Sequence, residues 1–289
     1  MSELSHLLHP ELFETIPLQG QAIAETLNLR AAQAAAATTV QHPGLSVVIR
    51  TLNEADRLEQ LMQDIDAQIR VDRPQVIVVD NESDDDTPAV AKHYGAEVIR
   101  LPRGEFTYPR SMNLGVEAAD NPVVYLTVGH ALLSTTCTLN AVAAVFQDAA
   151  VAGVHGMAIP GVRSSWVERT AAATMRGDIC TSTKVQKAGM GVLGATSAAV
   201  RKSVWDAAGR FDERYETGGE DTALAVQLLA MGYDVVREPL LTVHHSHGLG
   251  FMNSIKQFRH WNKTLRGPVR MDMQALLKRR PDLAQVRQA

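Results

Sequence analysis

The stretch LSVVIRTLNEADRLEQLMQDI, residues 45–65, contains a strand, a polar turn and the start of a helix. Apolar and β-branched residues dominate positions 45–50, which is typical of a buried strand. Thr51 to Glu54 form the turn, and the apolar residues after it recur at spacings of three and four: Leu58, Leu61, Met62, Ile65 and Ile69. This rhythm predicts an amphipathic helix over 56–70. The turn lacks G-x-G-x-x-G, so the sequence does not support a dinucleotide site of the usual kind.

Strands and helices continue to alternate after this unit. The patterns predict strands at 75–79, 96–101 and 122–127, and helices starting at Thr87 and spanning 109–119. Such alternation predicts an α/β fold with a mostly parallel, Rossmann-like sheet wrapped by helices. Further along, VAGVHGMAI at 151–159 predicts one strand and 222–231 a short helix, whereas 162–190 is expected to be irregular and mobile.

The chain divides into three regions. Residues 1–44 include an alanine-rich, helix-favouring segment that QHPG interrupts, and we interpret them as a helical arm used for packing or for an oligomer contact. Residues 45–250 carry the alternating pattern. Residues 251–289 are expected to form a helical, basic extension, because Lys and Arg are frequent between 256 and 280.

Composition narrows the class of protein. The 289 residues are 45% hydrophobic with a net charge of −4, which suits a globular domain and gives no support for nucleic-acid binding. The two cysteines, Cys137 and Cys180, lack metal-site spacing and indicate a reducing compartment. The N-terminus does not resemble a secretory signal, and no apolar run reaches the roughly 18 residues that span a bilayer. A cytoplasmic location is expected, with at most peripheral membrane contact.

Polar residues follow three predicted strands at the point where each strand ends. They are Thr51–Glu54, Asp80-Asn81 and Thr127–His130. Ligands of open α/β sheets bind outside the carboxyl ends of the strands, so these groups are expected to share one crevice. Taken alone, Glu54 and Asp80 fit a cap or turn role equally well. The acidic run DNESDDD does not fit a calcium loop, because it lacks glycine at its sixth position and glutamate at its twelfth.

Several motifs occur in the order found in one enzyme family. LSVVIRTLNEADRLEQLMQDI, VIVVDNESDDDT, YPRSMNLGVEAA, VVYLTVGHALL, the GATSAAVRKSVWDAAGRFDERYETGGEDTALAVQLLAMGYDVV segment and VHHSHG together resemble family 2 inverting glycosyltransferases, which have the GT-A fold. The resemblance covers about residues 45–250. It implies a nucleotide-sugar donor and an acceptor that is a sugar, a lipid-linked glycan or a small molecule.

The resemblance assigns the donor nucleoside to the strand ends. The residues expected to bind it are Thr51, Asn53, Glu54, Asp80 and Asn81, with Glu54 and Asp80 on the ribose and base. Arg110, near the start of a helix, could pair with the diphosphate in bidentate fashion, although a surface arginine is the ordinary alternative. Asn113 and Gly115 fit a turn and close helix packing better than chemistry.

LTVGHALL departs from the family, whose members usually carry Asp-x-Asp after this strand to hold a divalent ion. His130 occupies the expected ligand position, which implies a subgroup with His in place of Asp. His245 and His247 alternate in VHHSHG and are expected to join His130 in a metal site. Imidazole ligands favour Mn²⁺ over Mg²⁺. The alternative is a metal-free enzyme in which Arg110 and a protonated histidine neutralise the leaving group.

Glu220 and Asp221 begin a predicted helix, where its dipole favours carboxylates. Capping alone would explain them, but the resemblance makes Asp221 the general base and Glu220 a neighbour that positions the acceptor. Other classes stay open: a catalytically inactive nucleotide-sugar-binding protein, a sugar nucleotidyltransferase or a zinc hydrolase. The first strand lacks the glycine-rich basic loop of nucleotidyltransferases, and HHSH lacks the spacing of a helical His-Glu-x-x-His pair.

Overall fold

The computed structural model describes residues 19–36, 43–173, 181–187, 191–216 and 218–247, together with positions 252, 253, 256, 259 and 278. Residues 1–18 and 37–42 of the expected helical arm lie outside the described residues, as does nearly all of the expected extension at 251–289.

A mixed sheet of eight strands and a small sheet of three strands form the centre of the protein. The strands are β1 Leu45–Thr51, β2 Gln75–Asp80, β3 Glu97–Arg100, β4 Val123–Val128, β5 Leu132–Leu133, β6 Val151–His155, β7 Ala158–Ile159, β8 Lys184–Gln186, β9 Ser197–Arg201, β10 Asp234–Arg237 and β11 Val243–His244. The large sheet has the order β3-β2-β1-β4-β9-β6-β10-β8, and the small one the order β5-β11-β7. Parallel pairing joins β1 to β2 and β4, β2 to β3, and β6 to β10. The expected α/β fold is therefore confirmed, with antiparallel β9 and β8 as additions.

Helices cover both faces of the large sheet. They are α1 Gln19–Ala36, α2 Ala55–Asp66, α3 Thr87–His93, α4 Tyr108–Ala118, α5 Thr138–Val145, α6 Trp166–Ala173, α7 Lys202–Ala207 and α8 Glu220–Ala230. Helices α1, α2 and α5 share one core with Val47 and Ile49, while α4 and α8 share the other with Val48. Alternation along β1 explains this division, because successive strand side chains point to opposite faces. In the part of the chain that is described, no helix is both long and apolar enough to cross a membrane.

Helix α2 ends at Asp66, four residues before the predicted boundary. Its apolar face is buried as expected, with Leu58 and Leu61 fully inaccessible. The backbone then turns away because Ile69 N donates to Thr136 O at 2.9 Å and Gln68 Nε2 donates to Thr135 O at 2.9 Å. A contact with a distant loop therefore replaces the last predicted helical turn.

Two later segments differ from their predictions. The strand expected over 151–159 is divided between β6 and β7 at Gly156, where an added Cβ would lie 1.8 Å from Leu241 O. This close backbone approach redirects the chain from the large sheet into the small one. Part of 162–190, expected to be irregular, forms α6 and β8. A capping box begins α6, since Ser165 and Glu168 exchange side-chain and backbone hydrogen bonds of 2.7 and 3.3 Å.

Helix α4 packs directly on β1 through Gly115. A Cβ at this position would lie 2.2 Å from Val48 Cγ1, so only glycine permits the observed approach. Asn113 ties the same helix to the segment before α8, donating to Phe211 O at 2.9 Å and accepting from Phe211 N at 3.1 Å. Asn113 and Gly115 thus serve packing, as expected, although Asn113 lies within the helix and not in a turn.

Replacing Gly115 with alanine should destabilise the fold. In a helix interior, alanine is normally more stable than glycine by about 1 kcal/mol. Here, however, its methyl group would collide with the buried, stiff side chain of Val48. Overpacking of this kind costs about 1–3 kcal/mol. Urea unfolding should therefore show a lower midpoint for Gly115→Ala. Gly104→Ala is the matched control, because nothing lies within 4 Å of its added Cβ; equal midpoints for the two variants would contradict the packing argument.

Candidate active site

A cleft of about 760 Å³ opens at the carboxyl ends of β1 and β4. Most of the polar residues that line it come from three strand ends, from the start of α8 and from the segment after β11: Arg50, Thr51, Glu54, Asn81, His130, Glu220, Asp221, His245 and His247. Phe106 and Tyr108 contribute aromatic walls. The structure thus brings together most of the residues selected from sequence.

The end of β2 lies beside the end of β1, with Asp80 in register with Thr51. Asp80 is buried next to the cleft without lining it, and its Oδ2 accepts from Ser83 N at 3.1 Å. Asp80 Oδ1 and Asn81 Oδ1 are buried with no hydrogen-bond partner among the described residues. Buried acceptors normally have a partner, so these two oxygens are suited to hydroxyl or N–H donors of a bound ligand.

Asn53 lies in a neighbouring groove of about 530 Å³, which shares Glu54, His130 and His247 with the cleft. Its φ of 55° is left-handed, a conformation that asparagine tolerates better than most residues. Asn53 Oδ1 accepts from Asp84 N at 2.7 Å, and Asn53 N donates to Ser83 Oγ at 2.8 Å. Asn53 therefore connects the loop after β1 to the loop after β2 through hydrogen bonds.

The Glu54 carboxylate joins the turn after β1 to the turn after β4. Its Oε2 accepts from Thr51 Oγ1 at 3.0 Å, and its Oε1 lies 2.5 Å from His130 Nδ1. Gly129 makes this arrangement possible, because a Cβ there would lie 2.4 Å from Glu54 Oε2. Glu54 thus fixes the orientation of the His130 ring.

Three imidazoles meet at the edge of the cleft, where the small sheet ends. Strand β11 runs antiparallel to β5 with His244 opposite Leu132, so the residues after β11 face those before β5. This places His130 Nε2 3.0 Å from His245 Nε2. His247 joins them, and one ligand atom from each ring lies within 4.8 Å of the others. Strand β11 ends at His244, so strand alternation does not place His245 and His247 as expected. The three rings nevertheless lie together, as the sequence analysis expected.

The chemistry of this cluster fits a divalent transition metal. Burial, followed by the neighbouring imidazoles, lowers the pKa of His245 to about 2, and burial also lowers the pKa of His247. Both rings are therefore neutral near pH 7, the form that ligates metals, and do not suit the alternative that uses protonated histidines. The contact of His130 Nδ1 with Glu54 is the carboxylate–histidine arrangement common around metal ions.

Glu220 and Asp221 lie across the cleft at the first turn of α8. Gly219, with φ of 101°, precedes the helix in a backbone conformation that favours glycine. Glu220 is only 4% exposed, and burial together with the neighbouring Asp221 charge raises its pKa to about 7. Burial also raises the pKa of Asp221, although its Oδ1 accepts from Thr222 N at 2.6 Å and its Oδ2 from Ala195 N at 3.3 Å. A carboxylate pair with raised pKa values can accept a proton near neutral pH.

Arg110, the sequence candidate for the diphosphate, does not line the cleft. Its Nη2 donates to Glu105 Oε2 at 2.6 Å, its Nη1 lies 3.9 Å from Glu213 Oε2, and 40% of its side chain is exposed. Arg50 lines the cleft instead, with its guanidinium carbon 4.5 Å from the centre of the Tyr108 ring. Sequence reasoning missed Arg50, although a charged residue within the apolar run of β1 was an available signal.

Residues 46–206 match the family described as "Glycosyl transferase family 2". O-antigen chain rhamnosyltransferase WbaN of Salmonella anatum is 27% identical over 180 residues, which cover 60% of this chain. The match spans 56% of WbaN, so this chain covers little more than half the length of that relative.

Solved structures of similar fold include mannosyltransferase PcManGT from Pyrobaculum calidifontis, in complex with GDP-Man and Mn²⁺. It has a TM-score of 0.58 and 19% identity, with 86% of this chain and 74% of that chain covered. GalNAc-T7 with UDP, GalNAc and Mn²⁺ has a TM-score of 0.52 and 15% identity, with 85% and 54% covered. At these identities the likeness establishes the fold, which agrees with the expected GT-A architecture. Because the family match extends over more than half of its residues, this protein belongs to glycosyl transferase family 2.

Proposed function

We propose that this protein transfers a sugar from a nucleoside-diphosphate sugar to an acceptor hydroxyl, with inversion at the anomeric carbon. The observation that carries the proposal is the cleft itself. The unpartnered acceptor of Asn81 after β2, three imidazoles and a carboxylate pair with raised pKa values surround one space of about 760 Å³, and the unpartnered acceptor of Asp80 is buried next to it. That volume is within the usual range for a small-molecule site.

The nucleoside is assigned to the ends of β1 and β2. Asp80 Oδ1 and Asn81 Oδ1 lack partners, and ribose hydroxyls or a base N–H would satisfy them. Thr51 and Glu54 lie beside these acceptors, since Thr51 is in register with Asp80. PcManGT carries GDP-Man on a similar fold, which supports a nucleoside diphosphate as the carrier of the sugar.

Asp221 is the proposed general base. Its carboxylate lies at the start of α8 and takes the proton from the acceptor hydroxyl, whose oxygen attacks the anomeric carbon opposite the diphosphate. Glu220 lies next to Asp221 and is buried, which suits a role in positioning the acceptor. A single displacement inverts the configuration, and no covalent intermediate on the enzyme is required.

His130, His245 and His247 are the residues that would hold a divalent ion, in a subgroup where His130 replaces the family's usual aspartate. When bound, the ion supplies positive charge to the departing diphosphate. Nitrogen ligands favour Mn²⁺ or a later transition metal over Mg²⁺, which prefers oxygen. Glu54 holds the His130 ring in place from its other nitrogen.

The acceptor is proposed to be a glycan, because WbaN acts on an O-antigen chain. The second candidate function is a catalytically inactive nucleotide-sugar binder, which the absence of Asp-x-Asp from VGHALL favours. The carboxylate pair of Glu220 and Asp221 favours the enzyme, since a protein that only binds nucleotide sugars needs no buried base. Hydrolysis of nucleotide sugars distinguishes the two, because only the enzyme releases free sugar.

Replacing Asp80 with alanine should weaken donor binding without unfolding the protein. The variant loses the acceptor that faces the nucleoside, and loss of a hydrogen bond to a charged group costs about 1.5–3 kcal/mol. Calorimetry with UDP, GDP and dTDP measures the change. Asp206→Ala is a surface control, because Asp206 lies on α7 outside the cleft lining. Unchanged affinity of Asp80→Ala for the nucleotide that the wild type prefers would refute the assignment.

Mn²⁺ should bind more tightly than Mg²⁺ and should support faster turnover. His245→Ala removes a proposed ligand and should abolish the preference, whereas His93→Ala, an exposed residue of α3, should leave it intact. Calorimetric titration of each ion reports binding independently of activity. Full turnover by the wild type after exhaustive chelation would contradict the metal site.

The Asp221→Asn variant should lose the general base while keeping donor affinity. Asparagine has nearly the same size, and loss of a general base lowers the rate about a hundred- to ten-thousand-fold. The base must be deprotonated to act, and burial raises the pKa of Asp221, so wild-type kcat should already fall with decreasing pH above the ordinary range of an aspartate. In the variant the Asp221 charge no longer raises the pKa of Glu220, so any residual acid limb should lie at lower pH. A wild-type rate for Asp221→Asn would make Glu220 the next candidate.

A further inference from the structure

Arg50 is a cation placed where strand β1 enters the cleft. Its side chain follows Val48 on the face of the sheet that α4 and α8 cover, because strand side chains alternate between faces. Tyr108 of α4 lies under the guanidinium, with 4.5 Å from Arg50 Cζ to the ring centre. The flat cation is therefore held by stacking on an aromatic ring and keeps its N–H groups for other partners.

One nitrogen of the Arg50 guanidinium makes no hydrogen bond to the described residues. Arg50 Nη1 is buried and has no hydrogen-bond partner among the described residues. A buried charged donor without a partner is costly, and an anionic ligand in the cleft would satisfy it. Glu220 Oε2 is also buried without a partner, so these two atoms do not satisfy each other.

Arg50 lines the same cleft as the carboxylate pair and the imidazoles. Its positive charge opposes the rise in the pKa of Glu220 and Asp221 and contributes to the lowered pKa of His245 and His247. Of the described residues that line the cleft, no other is a lysine or an arginine. An anion bound between the carboxylate pair and the imidazoles would therefore meet Arg50.

We propose that Arg50 binds the diphosphate of the donor and stabilises it as it leaves, the role that the sequence suggested for Arg110. This assignment rests on the proposed transferase function and deepens it. In the transfer, a bond forms between the acceptor oxygen and the anomeric carbon, and the bond from that carbon to the diphosphate oxygen breaks. The bonding electron pair goes to the diphosphate, the acceptor proton goes to Asp221, and the Arg50 charge offsets the added negative charge.

The test compares each nucleoside diphosphate with its own nucleoside, using UDP, GDP and dTDP with uridine, guanosine and thymidine. Arg50→Gln should bind the preferred diphosphate about ten- to a hundred-fold more weakly, the usual loss for a charged hydrogen bond. Its affinity for the nucleoside should stay at the wild-type value. Arg50→Lys should show a smaller loss, since lysine keeps the charge without the planar fork.

Arg73→Gln is the matched control, because Arg73 is exposed, pairs with Asp66 at 3.3 Å and precedes β2 at the opposite end of the sheet. It should bind both ligands as the wild type does. Titrations with Mn²⁺ and with chelator separate the contribution of Arg50 from that of an ion. If Arg50→Gln does not fold, Arg50→Lys carries the comparison.

An Arg50 that serves only as counter-ion to Glu220 and Asp221 gives a different result. Its removal would move the acid limb of the kcat profile to higher pH and leave the ratio of diphosphate to nucleoside affinity unchanged, which would overturn the proposal. Equal losses for both ligands would overturn it as well. If the wild type neither binds any of the three diphosphates nor hydrolyses their sugars, the proposed function itself fails, and the role of Arg50 fails with it.

Discussion

The parallel pairing of β1 with β2 and β4 is the constraint on which the cleft depends. A central strand must satisfy its backbone on both sides, and the two registers fix Thr51 beside Asp80 and Arg50 beside Val128. Because all three strands run in the same direction, their carboxyl ends open at one edge. The loops that follow them then carry Glu54, Asn81 and His130 into the same space.

Charged groups with unpartnered atoms lie close together at this edge of the sheet. Elsewhere on the surface, arginines such as Arg100 and Arg103 pair with nearby acids. In the cleft, Glu220, Asp221 and Arg50 are close enough to shift one another's charge, yet polar atoms of Glu220 and Arg50 have no partner. Desolvated groups left in this state lower stability, and their concentration in one cleft is the usual mark of a site that a ligand completes.

The proposed metal site differs in charge from the one expected of the family. Aspartate ligands would neutralise part of a divalent ion, whereas imidazole ligands, which carry no negative charge, would leave more of its charge available to a diphosphate. Gly129 permits the contact between Glu54 and His130, because a Cβ at this position would lie only 2.4 Å from Glu54 Oε2. Glu54 thereby approaches His130 from the side opposite to His245 and fixes the ring between the two.

The sequence by itself determined the local elements and the identity of the chemical groups. The apolar rhythm of α2, the strand of Leu45–Thr51 and the convergence of three strand ends all follow from periodicity and from the geometry of parallel sheets. Motif order was enough to indicate the family, to select Glu220 and Asp221 and to associate His130 with His245 and His247. These inferences were possible from sequence because they depend on neighbours in the chain or on a rule common to all such sheets.

Only the tertiary structure decided which of two arginines enters the cleft, where α2 stops and where the strand at 151–159 divides. Each outcome depends on contacts between residues far apart in the chain: Arg50 with Tyr108, Ile69 with Thr136, and Gly156 with Leu241. Local patterns carry no information about such contacts, because the energy that selects them arises only when the sheet and its covering helices are assembled. Arg110 lies in a recognisable motif but pairs with Glu105, whereas Arg50 lies in the apolar pattern of a strand and lines the cleft.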